Sequence, residues 1–359
     1  MIQVAGARDL GPQFVQNQHR MVGQDGAFSF VLPDGNSFWF FGDTLIGRRP
    51  EGCPWIIDGK LVDHRDMTGM GGYERMINNT GLILPKQSGE RGLRDFRYIL
   101  DSHGQLKTLI PLETGEDPDW DRVWCQGGIA IGGKIILSFI QIRMIERNTG
   151  PLPIGFEIVG SGLAVSAAPD KSFSRVRRNG THLLWNADQP HFGIAFVYEP
   201  RDGLVYIYGT VNEKAGHRAY LARATPAHVD QPERYEYFAG DERWSAKLGD
   251  AVPLFGGMPS EMSVSYNAHL GAYLAVHSLE LTGKIVGRTA PKPWGPWSDA
   301  VTLWEASQPT LAYRLPYPMP LIYAGKEHPQ LSPDGGRTIY LTYIEFEEYF
   351  PHLVEVTLA

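Results

Sequence analysis

GQDGAFSFVLPDGNSFWFFGDT, residues 23–44, is the stretch whose reading decides the fold. Two apolar runs, 27–32 and 37–41, flank Pro33-Asp34-Gly35. Apolar runs on either side of Pro-Asp-Gly predict a β-hairpin, with proline presetting φ for a type I turn and glycine taking the left-handed position after it. That makes a three-residue loop in which Leu32 faces Asn36. Counting outward, Phe30 faces Phe38, Phe28 faces Phe40, and Asp25 faces Asp43. Directly opposed Cβ atoms lie about 4.5–5.5 Å apart, so this register sets two carboxylates side by side. A two-residue Asp34-Gly35 loop would instead oppose Asp43 to Gly26. Proline at the first turn position favours the former. Either aspartate could equally serve as a strand-end cap, a common task for turn aspartates.

The hairpin recurs. Paired apolar runs occupy residues 127–142 around Gly132-Gly133, 191–210 around Pro200-Arg201-Asp202-Gly203, 261–278 around 267–271, and 327–345 around 333–336. First strands are expected near 27, 128, 193, 262 and 329. The last three intervals are each about 65–70 residues, the length of a four-stranded blade with its loops. The first interval, about 100 residues, also holds a glycine-rich polar insertion at 48–73 and strand-like runs at 75–84 and 93–100. Further runs follow the later hairpins at 157–166, 218–224, 284–290 with 300–304, and 352–358. Helical periodicity is scarce, and 226–234 and 242–248 read as short helical or turn segments. The expected fold is all-β: a single-domain, five-bladed β-propeller spanning 1–359, with residues 2–5 pairing with the last blade to close the ring. A pair of β-sandwiches is the alternative, but sandwiches lack so regular a long period.

Composition narrows the function. The chain has 359 residues, 43% hydrophobic and 11% aromatic, ample for a large core, and all-β folds of this size run as one domain. Its 41 glycines and 26 prolines are spread as turn residues rather than clustered. Net charge is −7 with no basic run, which argues against nucleic acid or an anionic membrane as partner. No stretch approaches the ~18 apolar residues that span a bilayer. Cys53 and Cys125 show neither CxxC nor zinc spacing, and a disulfide between them stays open. The opening residues lack a basic segment followed by an apolar one, so two compartments stay open: the cytoplasm, or an external one after removal of a leader ahead of Met1. The oligomeric state is likewise open.

In a propeller the first strand of each blade lines the axis, so the residues just before those strands ring one mouth. They are Asp25, Gln126, His191, Glu261 and His328, with Asp43 returning on the second strand. A polar ring drawn from distant places is a candidate site, although His191 also suits hydrogen bonding to neighbouring loops. Trp120, Trp124, Trp185 and Phe192 fall near the same end. Aromatic faces beside carboxylates suit a carbohydrate, which offers C–H faces and hydroxyl edges together. Trp39, Trp294 and Trp297 are expected in the core.

The opening stretch, with NNTGLIL, LVYIYGT, HRAYLARA, SEMSVSYNAHLGAYLAVHS, RTAPKPWGPWSDAVTLW and KEHPQLSPDGGRTIYLTY, resembles a bacterial propeller family, domain-of-unknown-function family 4185. Its members are associated with glycoside hydrolase family 183, endo-acting enzymes on D-arabinan. The resemblance covers most of the chain in order. It implies a glycosidase acting on furanosides, with Asp25 in QDG and Asp43 in FGDT as the catalytic pair. Glu261 in SEMSV and His328 in EHP match segments of the family and are assigned roles in binding substrate or in supporting the residues that do; Gln126, Trp124 and His191 at the mouth, with Asn79 in NNTGLIL, are the other candidate substrate-binding residues. The insertion at 48–73 and the loop 143–156 depart from the pattern where they could reshape a cleft. Ser332-Pro333-Asp334 with Gly336 and Thr338 resembles a single sialidase Asp-box, read here as a turn because no basic triad accompanies it.

Glycoside hydrolysis needs one carboxylic acid to protonate the leaving oxygen and an ionised carboxylate as nucleophile or base. Neighbouring carboxylates meet that need because repulsion drives their pKa values apart. No HExxH, paired His–carboxylate spacing, GxSxG elbow or phosphate-binding glycine loop is present, so no metal or other cofactor is expected. A non-catalytic carbohydrate-binding propeller and a propeller lyase with a His or Tyr base are the competing readings.

Overall fold

The computed structural model describes residues 2–48, 56–57, 60–61, 72–145, 155–213, 216–306, 321–346 and 348–359. Most of the 48–73 insertion, the tip of the 143–156 loop and Cys53 lie outside the described residues. Cys125 is buried and free.

The opening hairpin forms in the first of the two registers. Phe28 pairs with Phe40 and Phe30 with Phe38. The Leu32 N–H donates to Asn36 O at 2.8 Å across a loop in which Gly35 sits at φ +85°. The Phe28 and Phe40 rings stack at 5.5 Å, while Phe30 meets Phe38 edge-on at 5.6 Å. Such cross-strand aromatic pairs hold a register firmly.

The chain is all-β, built of several antiparallel sheets in a propeller-like series. The first sheet runs Arg97–Tyr98, Thr80–Leu84, Ser37–Phe41, Phe28–Val31. The second starts with Asp121–Ile131, Lys134–Met144 and Phe156–Ser166; the third with His191–Glu199, Leu204–Glu213 and Gly216–Ala224. The fourth runs Met262–Asn267, Ala272–Ser278, Lys284–Ala290, Val301–Glu305. The last comprises Ile322–Glu327, Thr338–Glu345, Pro351–Leu358 and, as its outermost strand, Val4–Pro12. The expected N-terminal pairing is present, with Val4 opposite Leu358, and it continues to Pro12 opposite His352.

The first strands of successive sheets pack one on the next, from Phe28–Val31 to Ile322–Glu327. The strand Ile322–Glu327 meets the segment just ahead of Phe28–Val31 through Lys326 Nζ on Gly26 O at 2.7 Å. Close approach requires glycine: a Cβ on Gly127 would lie 2.1 Å from Gly193 O. Apolar side chains fill each gap between sheets. Phe38, Phe40, Val123 and Phe139 form one such core; Trp185, Phe192, Ile207 and Tyr235 form the next.

Three expectations are corrected. The last inner strand is Ile322–Glu327 rather than a strand from near 329, because Pro329 opens a 3-10 turn, Pro329–Leu331. The second inner strand begins at Asp121, and the Cys125/Gly127 bulge divides it. Within 242–248, Trp244 and Ser245 pair with Phe238 and Tyr237 as a short strand. Trp39 is fully buried, and Trp294 and Trp297 pack against the core between the third and fourth sheets, as expected. Asp334 closes the Asp-box-like turn on itself, accepting from Thr338 N and Thr338 Oγ1, each at 2.8 Å.

Candidate active site

The long opening hairpin is divided into two ladders. Phe28–Val31 pairs with Ser37–Phe41, and Met21–Gln24 pairs with Thr44–Arg48. Gly26 at φ +87° and Ala27 at φ +60° make the break. The count is conserved across it, since Phe28 opposes Phe40 on one side and Gln24 opposes Thr44 on the other. Asp25 and Asp43 therefore face each other in the gap. Asp25 N–H donates to Asp43 O at 3.0 Å, and Gly42 N–H donates to Asp25 O at 2.9 Å.

The next strand pair repeats the arrangement. Phe41 opposes Thr80 and Thr44 opposes Ile77, which sets Asn78 opposite Asp43. Asp25, Asp43 and Asn78 thus form a row across three adjacent chain segments. Each carries a buried Oδ1 with no hydrogen-bond partner. Arg122 Nε and Trp124 Nε1, from the neighbouring inner strand, are also buried without a partner. Unsatisfied buried polar atoms are rare and costly, about 1–3 kcal/mol each. Five of the ten such atoms among the described residues gather here, which makes this the candidate place for a polar ligand.

Electrostatics single out the same pair. Burial, with Glu261 adding repulsion, pushes the Asp25 carboxyl up to about 7; Tyr323, Lys326 and Tyr349 oppose the rise. The Tyr349 hydroxyl donates to Asp25 Oδ2 at 3.2 Å. Burial likewise pushes Asp43 up to about 7, against the pull of Arg122, with Asp25 adding repulsion and the Trp124 indole N–H, near but outside hydrogen-bond geometry, favouring the ion. Neighbouring carboxyls that burial raises in this way can hold one proton between them. Trp124 lies against the gap, 3.8 Å from where a Gly42 Cβ would stand, and meets Phe156 edge-on at 5.0 Å.

Of the residues singled out in the sequence, Asp25, Asp43, Trp124 and Glu261 are brought together. Glu261 accepts from Lys326 Nζ at 2.7 Å on the Asp25 side of the fold. Gln126 sits at the Cys125/Gly127 bulge, 6% exposed. His191 begins the third inner strand, buried, with Nδ1 at 2.9 Å from Ser161 Oγ. Burial lowers its pKa to about 4, with help from His217.

Asn79 and His328 correct the expectation of substrate contact. Asn79 is fully buried, and its amide bridges Ile110 O at 3.1 Å, Val123 O at 3.0 Å and Ile110 N at 2.8 Å. His328 is 1% exposed and stacks on Trp39. Its ring nitrogens meet Ser29 Oγ at 2.6 Å and Thr342 Oγ1 at 2.7 Å, bolting the last sheet to the first. Trp185 and Phe192 also leave the mouth, because they pack on each other in a core. Sequence reasoning missed Asn78, Arg122, Tyr323, Lys326 and Tyr349. A lone lysine inside the apolar run LIYAGKE was the available signal for Lys326; the tyrosines depend on tertiary packing. Among the described residues, no cluster of His, Cys, Asp or Glu is arranged to hold a metal ion.

A family model described as a domain of unknown function (DUF4185) matches residues 11–355. No curated protein matches the sequence. Among solved structures, a Bacteroides ovatus ATCC 8483 protein is similar at 17% identity and TM-score 0.59, over 97% of this chain and 87% of that one. The GH43_1 enzyme of Xanthomonas citri complexed with xylose is similar at 14% identity and TM-score 0.50, covering 99% and 90%. A family 117 glycoside hydrolase of the marine bacterium Zobellia galactanivorans is similar at 10% identity and TM-score 0.50, covering 98% and 90%. At these identities the likeness is one of fold.

Proposed function

Since the chain belongs to the DUF4185 family, we propose that it is a glycoside hydrolase cleaving furanosidic linkages of a D-arabinan-like polysaccharide or oligosaccharide. We further propose a single-domain, five-bladed propeller, its inner strands circling an axis with the site at one mouth. The row Asp25–Asp43–Asn78, with its buried, unpartnered oxygens, is the observation that carries the reading. The fold shared with a xylose-bound GH43_1 enzyme and a family 117 glycoside hydrolase supports it.

In this mechanism Asp25 is the ionised member, its charge stabilised by the Tyr349 hydroxyl and the nearby Lys326 ammonium. Asp43 holds the shared proton. Asp43 gives that proton to the leaving oxygen as the glycosidic C–O bond breaks, and an Asp25 oxygen bonds to the anomeric carbon. Asp43, now ionised, takes a proton from water; the resulting hydroxide attacks the anomeric carbon and releases Asp25. Opposed strand positions favour the carboxyl separation of about 5–5.5 Å that suits this retaining course. Asn78 accepts a hydrogen bond from a sugar hydroxyl beside the reacting carbon, and Trp124 offers its face to the ring. Asn79 and His328 hold the scaffold.

The test is purified protein against arabinan, arabinogalactan, fructan and pectic oligosaccharides, with product anomers followed by NMR. Chain cleavage of a furanosidic substrate with initial retention is expected. Binding without cleavage, or an unsaturated product, would overturn the hydrolase.

A further inference from the structure

Lys326 lies on the inner strand Ile322–Glu327 and is 2% exposed. Its Nζ donates at 2.7 Å to Gly26 O, to Ala324 O and to Glu261 Oε2. An ammonium has three protons, and all three are engaged. Nζ also sits 4.2 Å from the centroid of the Phe28 ring. Replacing a buried ion pair by well-packed apolar residues is often neutral or stabilising. Stability alone therefore gives little reason for a charge here, and its three partners give a better one.

Gly26 directly follows Asp25 at the break in the hairpin, so the first bond fixes the Gly26–Ala27 peptide that makes that break. Ala324, at φ +59°, lies in the irregularity between Tyr323 and Lys326, so the second bond fixes the bulge that places Tyr323 against Asp25. The third bond holds Glu261, whose charge opposes that of Asp25. One ammonium thus orders the backbone behind Asp25, a tyrosine beside it and a carboxylate facing it.

We propose that Lys326 and Glu261 form a buried positioning pair that fixes the Asp25 carboxyl and sets the pH at which it ionises. This rests on Asp25 being the ionised member of the catalytic pair. The groups facing Asp25 are Asp43 on its own hairpin, Glu261 ahead of Met262–Asn267, Lys326 and Tyr323 on Ile322–Glu327, and Tyr349 ahead of Pro351–Leu358. Arg122 acts on Asp43, and Glu345 acts on Tyr323. Within this set Lys326 and Glu261 pull Asp25 in opposite directions. Removing one should move Asp25 opposite to removing the other, a signature that a merely structural salt bridge would not produce.

The experiment compares wild type, Lys326→Met and Glu261→Gln. It follows the Asp25 carboxyl by carbon-13 NMR titration, assigned by its loss in Asp25→Asn. It also follows the acid limb of kcat/KM against pH on the furanosidic substrate cleaved by wild type. Lys326→Met should move titration and limb up by about one pH unit, and Glu261→Gln should move both down by a similar amount. Both variants should lose about 10–100-fold in kcat with smaller changes in KM. Unchanged titrations, or shifts in the same direction, would overturn the pair. Should Lys326→Met fail to fold, Glu261→Gln decides alone: a downward shift supports the proposal, and none or an upward one overturns it. If wild type cleaves nothing, the hydrolase reading falls, while the NMR titration still decides whether the pair governs Asp25.

Discussion

Asp25 and Asp43 are held above the usual carboxylate range chiefly by burial, and this sets both their chemistry and their cost. A carboxyl whose folded-state pKa lies above its unfolded value binds its proton more tightly in the native state. Its contribution to stability is therefore withdrawn as pH rises from about 4 through 7. Asp25→Asn and Asp43→Asn should each cut turnover by on the order of 10³-fold. Each should also hold or raise Tm at pH 8, where wild type keeps buried negative charge. The double variant should lose little more activity than either single one, because the residues act together. Turnover and calorimetry at pH 5 and pH 8 check this; full activity in either single variant would remove the pair from the mechanism. Asn78 follows similar logic. Its Oδ1 has no hydrogen-bond partner from the protein, so Asn78→Leu should leave Tm unchanged or higher. It should lower kcat/KM by about 10–100-fold, since the substrate hydroxyl loses its acceptor. A fall in Tm with activity retained would make Asn78 a scaffold residue.

The strand Val4–Pro12 is joined to the last sheet by a side-chain cluster as well as a ladder. His352 Nδ1 donates to Asp9 Oδ2 at 3.1 Å, and His352 Nε2 donates to Glu348. The Tyr343 hydroxyl donates to Asp9 Oδ2 at 2.7 Å. Against the lowering effect of burial, the two carboxylates raise His352 from 6.5 to about 9. Asp9 is held below its ordinary value, its bonds to His352 and Tyr343 outweighing burial. The signs differ. The His352 contribution is full below pH 6.5 and disappears as pH rises through about 9; that of Asp9 is full above 3.8 and disappears as pH falls through its depressed value. The protection factors of the amides in residues 4–12, exchange rates corrected for their intrinsic pH dependence, should therefore fall above about pH 9. His352→Gln should abolish that fall and show lower protection already at pH 6. Wild-type protection factors that stay constant from pH 6 to 10 would deny the cluster this part.

At the scale of the whole molecule, the N-terminal strand covers an edge that would otherwise stay open. Deleting residues 2–12 exposes the ladder edge of Pro351–Leu358, whose residues are mostly buried in the intact chain. Open apolar edges recruit other chains. The truncated protein should be less stable by at least about 3 kcal/mol, from lost ladder bonds at about 0.5–1.5 kcal/mol each. It should also form oligomers, which denaturant melts and light scattering will show. A monomeric truncation with wild-type stability would mean that the sheets hold without this closure.

The sequence alone determined what local chemistry controls. The Pro33-Asp34-Gly35 turn and two phenylalanine pairs specify one register, and that register alone opposes Asp25 to Asp43. The recurrence of such hairpins specified an all-β chain of repeated sheets, and the residues ahead of the first strand brought in the pairing with the last. Tertiary structure decided which polar residues are tied to the scaffold and which are not. Asn78 and Asn79 are chain neighbours of identical chemistry, yet Asn79 is tied to the backbone at residues 110 and 123, while Asn78 Oδ1 bonds to no protein group. His328 looked like a mouth residue until Ser29, Thr342 and Trp39 enclosed it. Lys326 meets the opening hairpin and Glu261 only because these segments arrive from distant parts of the chain. Turn geometry and strand alternation act over a few residues and can be read in order. Burial and hydrogen-bond satisfaction depend on which distant segments pack together, and only the folded chain brings those segments into contact.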